Sequence, residues 1–213
     1  MKTDDLISML STGVAPVERH VAAKRLGRAL VFGVLGALAI VILGYGVRHD
    51  ISVLMRAPLF WVKLAWPACL AVAALAAAAR LARPGIEIGG WWAGLAAPVA
   101  LVWLAALLLL WLAPPGTREH LLMGRTWRSC SFNIALISLP AFVAVMWAAR
   151  GLAPTRLRLA GAVAGLVAAT IGALAYSLRC PEMSVPFWAT WYVIGMSIPT
   201  AAGALLGPSV LRW

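Results

Sequence analysis

The sequence predicts an all-α membrane protein, a bundle of six transmembrane helices joined by short loops. Three observations lead there. Hydrophobic residues make up 63% of the 213-residue chain and charged ones only 12%, more apolar surface than a soluble domain of this length could hide. The apolar residues gather into six runs, each close to the ~20 residues that carry a helix across a bilayer. The runs are also too long and too continuous to be the alternating strands of a barrel.

In chain order, residues 1–27 form a polar N-terminal segment and residues 28–213 the membrane domain. The segment contains one short amphipathic helix. Thr3 is its candidate N-cap, and Asp4 and Asp5 lie in the first turn, where the helix dipole favours acids. Leu6, Ile7 and Leu10 fall on one face, and Gly13 and Pro16 end the helix. Asp4 and Asp5 also occupy the place where a cleaved leader carries basic residues, so no signal peptide is expected. The spans are predicted at 29–47, 59–79, 92–113, 133–149, 159–178 and 187–207. Stretches 71–79 and 160–169 are dense in Ala and Gly, which lets membrane helices pack closely without a pore.

Six spans return both termini to one side. That side collects eleven of the eighteen basic residues, including Lys24, Arg25 and Arg28, against six on the other. The excess predicts a multi-pass membrane protein with cytoplasmic termini. The formal net charge of +11 is then loop bias and gives no reason to expect direct contact with nucleic acid.

Chemistry centres on two lone cysteines. Cys130 lies just before the fourth span and Cys180 just after the fifth, in the turn Arg179-Cys180-Pro181-Glu182, so both belong to the face opposite the termini. In a diderm bacterium that face is the periplasm, where disulfides persist. Cys130 opens a helix near Arg125 and Arg128 and is expected to be the more acidic thiol. Cys180 closes one, offset by Arg179. A sensing pair, a structural staple and two unrelated thiols all fit this spacing. Cys69, mid-span among Ala and Leu, reads as a small buried hydrophobe. Lys63 is the one ionisable residue well inside a span. It either acts within the membrane, with Glu182 or Glu119 as partner, or snorkels to the surface. A Lys63–Glu182 pair would tie the second helix to the Cys180 turn and tune the thiols.

Other chemistries lack their residues. His20, His49 and His120 lie outside the spans, against a haem-bearing subunit. No hydrolase triad, phosphate loop or intramembrane carboxylate pair is visible, and neither an enzyme nor a resident cofactor is expected. A transient heavy-metal ion at Cys130 and Cys180, helped by Glu119 or His120, stays open. A membrane thiol-disulfide oxidoreductase would need a second cysteine pair, and a small metal transporter would need polar residues along its spans.

Several blocks together carry a resemblance. They are the opening Met1-Lys2-Thr3-Asp4-Asp5-Leu6-Ile7, the Arg-Ser-Cys ending at Cys130, and Cys180-Pro181-Glu182. Trp191-Tyr192, Gly195, Gly203, Gly207 and the closing Leu211-Arg212-Trp213 complete them. Over essentially its whole length the chain resembles the NrsF family of bacterial membrane anti-sigma factors. The resemblance implies a protein that holds an extracytoplasmic-function sigma factor at the inner membrane. It implies that Thr3 to Leu10 are the contact and that Cys130 and Cys180 sense heavy metals or oxidants and trigger release.

Overall fold

The computed structural model describes residues 3–12, 20–46, 50–82 and 89–212. Among these, six helical stretches are long and apolar enough to cross a membrane, as the hydropathy runs predict. α1 (Thr3–Ser11) is a short helix with no buried residue. α2 (Val21–Ala39) runs on through a π-helical turn at Ile40–Tyr45 to make the first span. It begins earlier than predicted, so Lys24, Arg25 and Arg28 ride on the helix itself and α2 crosses the boundary drawn at residue 27. After a single turn, α3 (Ile51–Leu54), come the second span α4 (Pro58–Leu81) and the third, α5 (Trp91–Leu112).

The fourth span departs most from the hydropathy pattern. It is the last part of a 36-residue helical stretch, Pro115–Arg150. The stretch divides into α6 (Pro115–Met123), α7 (Trp127–Ile137) and α8 (Leu139–Arg150). Gly124, at φ +54°, makes the first break. Pro140 makes the second: its ring has no N–H to give and crowds the carbonyl a turn before it. The Ser138 hydroxyl caps that turn by donating to the Ala135 carbonyl at 2.7 Å. α9 (Leu157–Ser177) is the fifth span. The sixth is α10 (Val185–Phe187), a π-helical turn at Trp188–Tyr192 and α11 (Val193–Val210).

α9 is the axis of the bundle. Most of its residues are buried, and its Gly and Ala content is what allows that. Without a hydrophobic force between helices in lipid, close backbone contact and dispersion must hold them together. Gly161 and Gly165 meet Pro199, Gly203 and Gly207 of α11, so the two backbones touch directly. Gly172 packs on α7, where a Cβ would fall 2.8 Å from the Ile134 carbonyl. Gly33 of α2 sits on Ala141 of α8 in the same way. α5 lies at the edge and keeps Trp103, Leu104, Leu107 and Leu108 exposed. This is the surface expected of a lipid-facing helix that is apolar all round.

Candidate functional site

Alternation of the spans brings the start of α7 and the end of α9 to the end of the bundle opposite the start of α2. Contacts between α7 and α9, and between both and the sixth span, then close the gap between two residues fifty apart in sequence. Cys130 and Cys180 are both buried and both free thiols. The Cys130 thiol donates a hydrogen bond to the Cys180 sulfur. The topology-based expectation that the two cysteines are neighbours holds.

The Cys180 sulfur is ringed by donors. Besides Cys130 it accepts from the Tyr192 hydroxyl and the Glu182 backbone N–H. Tyr192 lies on the π-helical turn, is completely buried, and has its hydroxyl 3.4 Å from Ser177 Oγ. The Tyr176 hydroxyl serves Cys130 in the same manner.

Lys63 supplies the charge. It is fully buried, and its Nζ donates to the carbonyls of Cys180 at 2.7 Å and Glu182 at 3.0 Å. The ammonium also lies 5.8 Å from the Trp188 ring and 6.0 Å from the Tyr192 ring, at distances where cation–π attraction operates. It therefore does not snorkel. Its tie to Glu182 runs through the backbone carbonyl, which straps α4 to the Cys180 turn as a Lys63–Glu182 pair would.

The Glu182 carboxylate acts elsewhere. Oε1 accepts from the Arg125 backbone N–H at 2.7 Å and lies 3.5 Å from Thr126 Oγ1, at the start of α7. The carboxylate fits there because Gly124 has no Cβ, which would fall 2.7 Å from Oε2. A helix N-terminus carries roughly half a positive charge, so a carboxylate is stabilised at this place. One residue thus anchors the Cys180 turn to the helix that bears Cys130. Ser184 Oγ donating to the Leu121 carbonyl at 2.7 Å ties the same turn to α6, and Trp191 Nε1 donating to the Leu122 carbonyl at 2.9 Å ties the start of the sixth span to it.

These contacts reverse the expected order of thiol acidity. The start of α7 was to favour a thiolate at Cys130, but Glu182 already occupies that helix end. Arg128 is exposed and stacks 5.1 Å over Trp127, while Arg125 and Arg179 are exposed too. The cation that reaches the sulfurs is Lys63. The thiol of Cys180 is held well below its ordinary value, first by the hydrogen bond from Cys130. Burial opposes this, and the Lys63 charge and the Glu182 N–H reinforce it. The anion, once formed, belongs on Cys180.

Cys69 is exposed on the outer face of α4 rather than buried, since in a bilayer a small hydrophobe is as well placed facing lipid as facing the core. Glu119 and His120 are exposed on α6, and no group of three or more His, Cys, Asp or Glu among the described residues could hold a metal ion. Thr3 is the first residue of α1, and Asp4, Asp5, Leu6, Ile7 and Leu10 are all exposed on it. Gly13 and Pro16 lie outside the described residues, as does His49. Sequence reasoning missed Tyr176, Tyr192 and Trp188 as members of the site. The polar edges of aromatics that close on a buried lysine were the available signal.

Comparison with known proteins gives the family. The pattern of the NrsF family, described as "Negative regulator of sigma F", matches residues 10–213. A protein of Azospira oryzae named "Probable anti-sigma-F factor NrsF" is 45% identical over 213 residues, covering 100% of both chains. The "Anti-sigma-F factor NrsF" of Caulobacter vibrioides is 34% identical over 220 residues, again across 100% of each. No solved structure matches. With its six spans and with both relatives aligned end to end, the chain belongs to the NrsF family of negative regulators of sigma F.

Proposed function

We propose that this protein is an anti-sigma factor of the bacterial inner membrane. In this reading it holds an extracytoplasmic-function sigma factor at the cytoplasmic face through α1 and lets it go when Cys130 and Cys180 react on the periplasmic side. The observation that carries the reading is the meeting of the two thiols in a buried, donor-lined pocket at the end of the bundle opposite the start of α2, the helix that follows the exposed acidic α1. Leu6, Ile7 and Leu10 offer an apolar stripe for a groove, and Asp4 and Asp5 meet basic side chains around it.

The chemistry at the thiols has two forms. A hydroperoxide takes two electrons from the pair: the Cys180 thiolate attacks the peroxide, water or alcohol leaves, and Cys130 closes the S–S bond by displacing hydroxide, which leaves as water. A soft metal ion instead binds both sulfurs and displaces two protons. Either form removes the Cys130-to-Cys180 hydrogen bond and shifts α7 against the turn that Lys63 and Glu182 hold. A bias of about 3 kcal/mol between two packings changes partner affinity roughly a hundredfold, enough for a transcriptional switch.

Co-purification tests this. The membrane-embedded protein should bring down a sigma factor, and a hydroperoxide or a soft metal applied from the periplasmic side should release it. The Cys130→Ser, Cys180→Ser double variant should keep the capture and lose the release; release that persists without either sulfur sinks the sensing role. Asp4→Lys with Asp5→Lys should weaken capture at least tenfold, because like charges then face each other across the contact. Undiminished capture would remove α1 from the interface.

A further inference from the structure

A second feature lies at the other end of the bundle, in the groove between the first and fourth spans. Arg25 and Arg28 from α2 and Arg150 from the end of α8 converge at its mouth. Arg25 is fixed in place, its Nη1 donating to the Gly151 carbonyl at 2.6 Å. Below the arginines the groove turns apolar. Its floor is alanine, Ala148 included, and Phe32 and Trp147 stand on its two sides, 70% and 79% exposed. The cleft offers about 920 Å³ and is open along its outer side, between the two rings. Further along the same two helices, Gly33 packs directly on Ala141.

We infer that this groove binds an anionic phospholipid, with the phosphate at the three arginines and an acyl chain between Phe32 and Trp147. Three guanidiniums supply the donors and the charge that a phosphate diester accepts. They lie where two spans leave the hydrocarbon, the depth of the headgroups, and basic pockets between spans on this side are suited to acidic lipids. The aromatic-walled trough is what selects a lipid: a free phosphate or an acidic peptide segment would engage the mouth alone. Exposed rings of this size on two facing helices gain contact when a chain fills the space between them. The inference does not depend on what α1 binds.

The full chain in nanodiscs of phosphatidylcholine, doped with phosphatidylglycerol, provides the test, read by native mass spectrometry and by lipid-dependent thermal stabilisation. Phosphatidylglycerol should be retained and phosphatidylcholine should not. Arg28→Gln with Arg150→Gln should weaken retention about 25-fold, taking about fivefold for each basic residue near a membrane surface. Trp147→Ala should weaken retention of the long-chain lipid while leaving binding of water-soluble glycerophosphoglycerol unchanged. Arg28, Arg150 and Trp147 are all exposed, and unchanged helicity checks that the variants fold. Equal retention of the two lipids, or equal binding of phosphatidylglycerol by the arginine double variant, overturns the site. Glycerophosphoglycerol matching the lipid's affinity overturns the acyl-chain part, and occupation by a co-purified acidic protein that excludes lipid overturns the whole.

Discussion

Replacing Lys63 by Met should move the ionisation of Cys180 to higher pH while leaving the fold nearly intact. Two carbonyls lose the donor they share, at about 1–3 kcal/mol each. Relief from burying an ammonium, several kcal/mol in itself, offsets much of that, so the unfolding midpoint should move little. The sulfur has no such compensation. Cys180 sits below its ordinary value partly through the Lys63 charge, so its thiolate is present at neutral pH and is lost as pH falls. Without the charge that titration moves up in pH, and less thiolate is present near neutrality. Thiolate ultraviolet absorbance followed against pH reads this without needing a reagent to reach a buried atom. Reaction of the pair with a hydroperoxide should slow in proportion, and Lys63→Arg should recover part of the rate. An unshifted titration in Lys63→Met would show that hydrogen bonding alone sets the acidity.

Gly161→Leu should produce the largest loss of stability. A Cβ there would meet the Gly203 carbonyl carbon and the Gly207 Cα, each at 2.9 Å, and both are backbone. No rotamer relieves such a clash, so α9 and α11 must part. Overpacking of a fixed interface costs about 1–3 kcal/mol and more when backbone has to move. The damage should reach the thiols as well, because α11 continues the turn that brings Tyr192 to Cys180. Thermal unfolding in detergent measures the loss. Gly27→Leu on α2, where a Cβ meets nothing within 4 Å, is the matched control and should unfold like the parent. Equal behaviour of the two variants would mean that the glycine contact between α9 and α11 contributes nothing.

Much of this architecture was legible in the sequence because the bilayer imposes a length. Six apolar runs became six spans, and counting spans was enough to put Cys130 and Cys180 at the same end of the bundle. Where hydropathy failed, the cause was local. α6 and the first turns of α7 are polar enough to look like loop, yet they are helical and hydrogen-bonded to the segment that follows Cys180. The Glu182 carboxylate could not be assigned from spacing, since its place depends on Gly124 leaving room at one helix start. Lys63 showed itself as an anomaly, a lone cation in an apolar run. Its partners did not, because carbonyls have no signature in a sequence. The reversed thiol order has the same origin: a dipole argument sees the helix end but not the acid already sitting there.

The π-helical turn at Trp188–Tyr192 has a further consequence. A widened turn inserts one residue, and each residue advances a helix by about 100°. At the start of the widened turn the contacts are fixed by Trp188, whose Nε1 donates to the Glu182 carbonyl at 3.0 Å. Below it, Gly203 and Gly207 are fixed against α9. The slack is taken up in between, where Trp103 Nε1 reaches in from α5 to the Ala189 carbonyl at 2.8 Å. The extra residue is therefore a phase correction between two surfaces that need different angular settings. Excising it would rotate one part of the span against the other and leave only one of them, the sulfur pocket or the glycine seam, facing the right way.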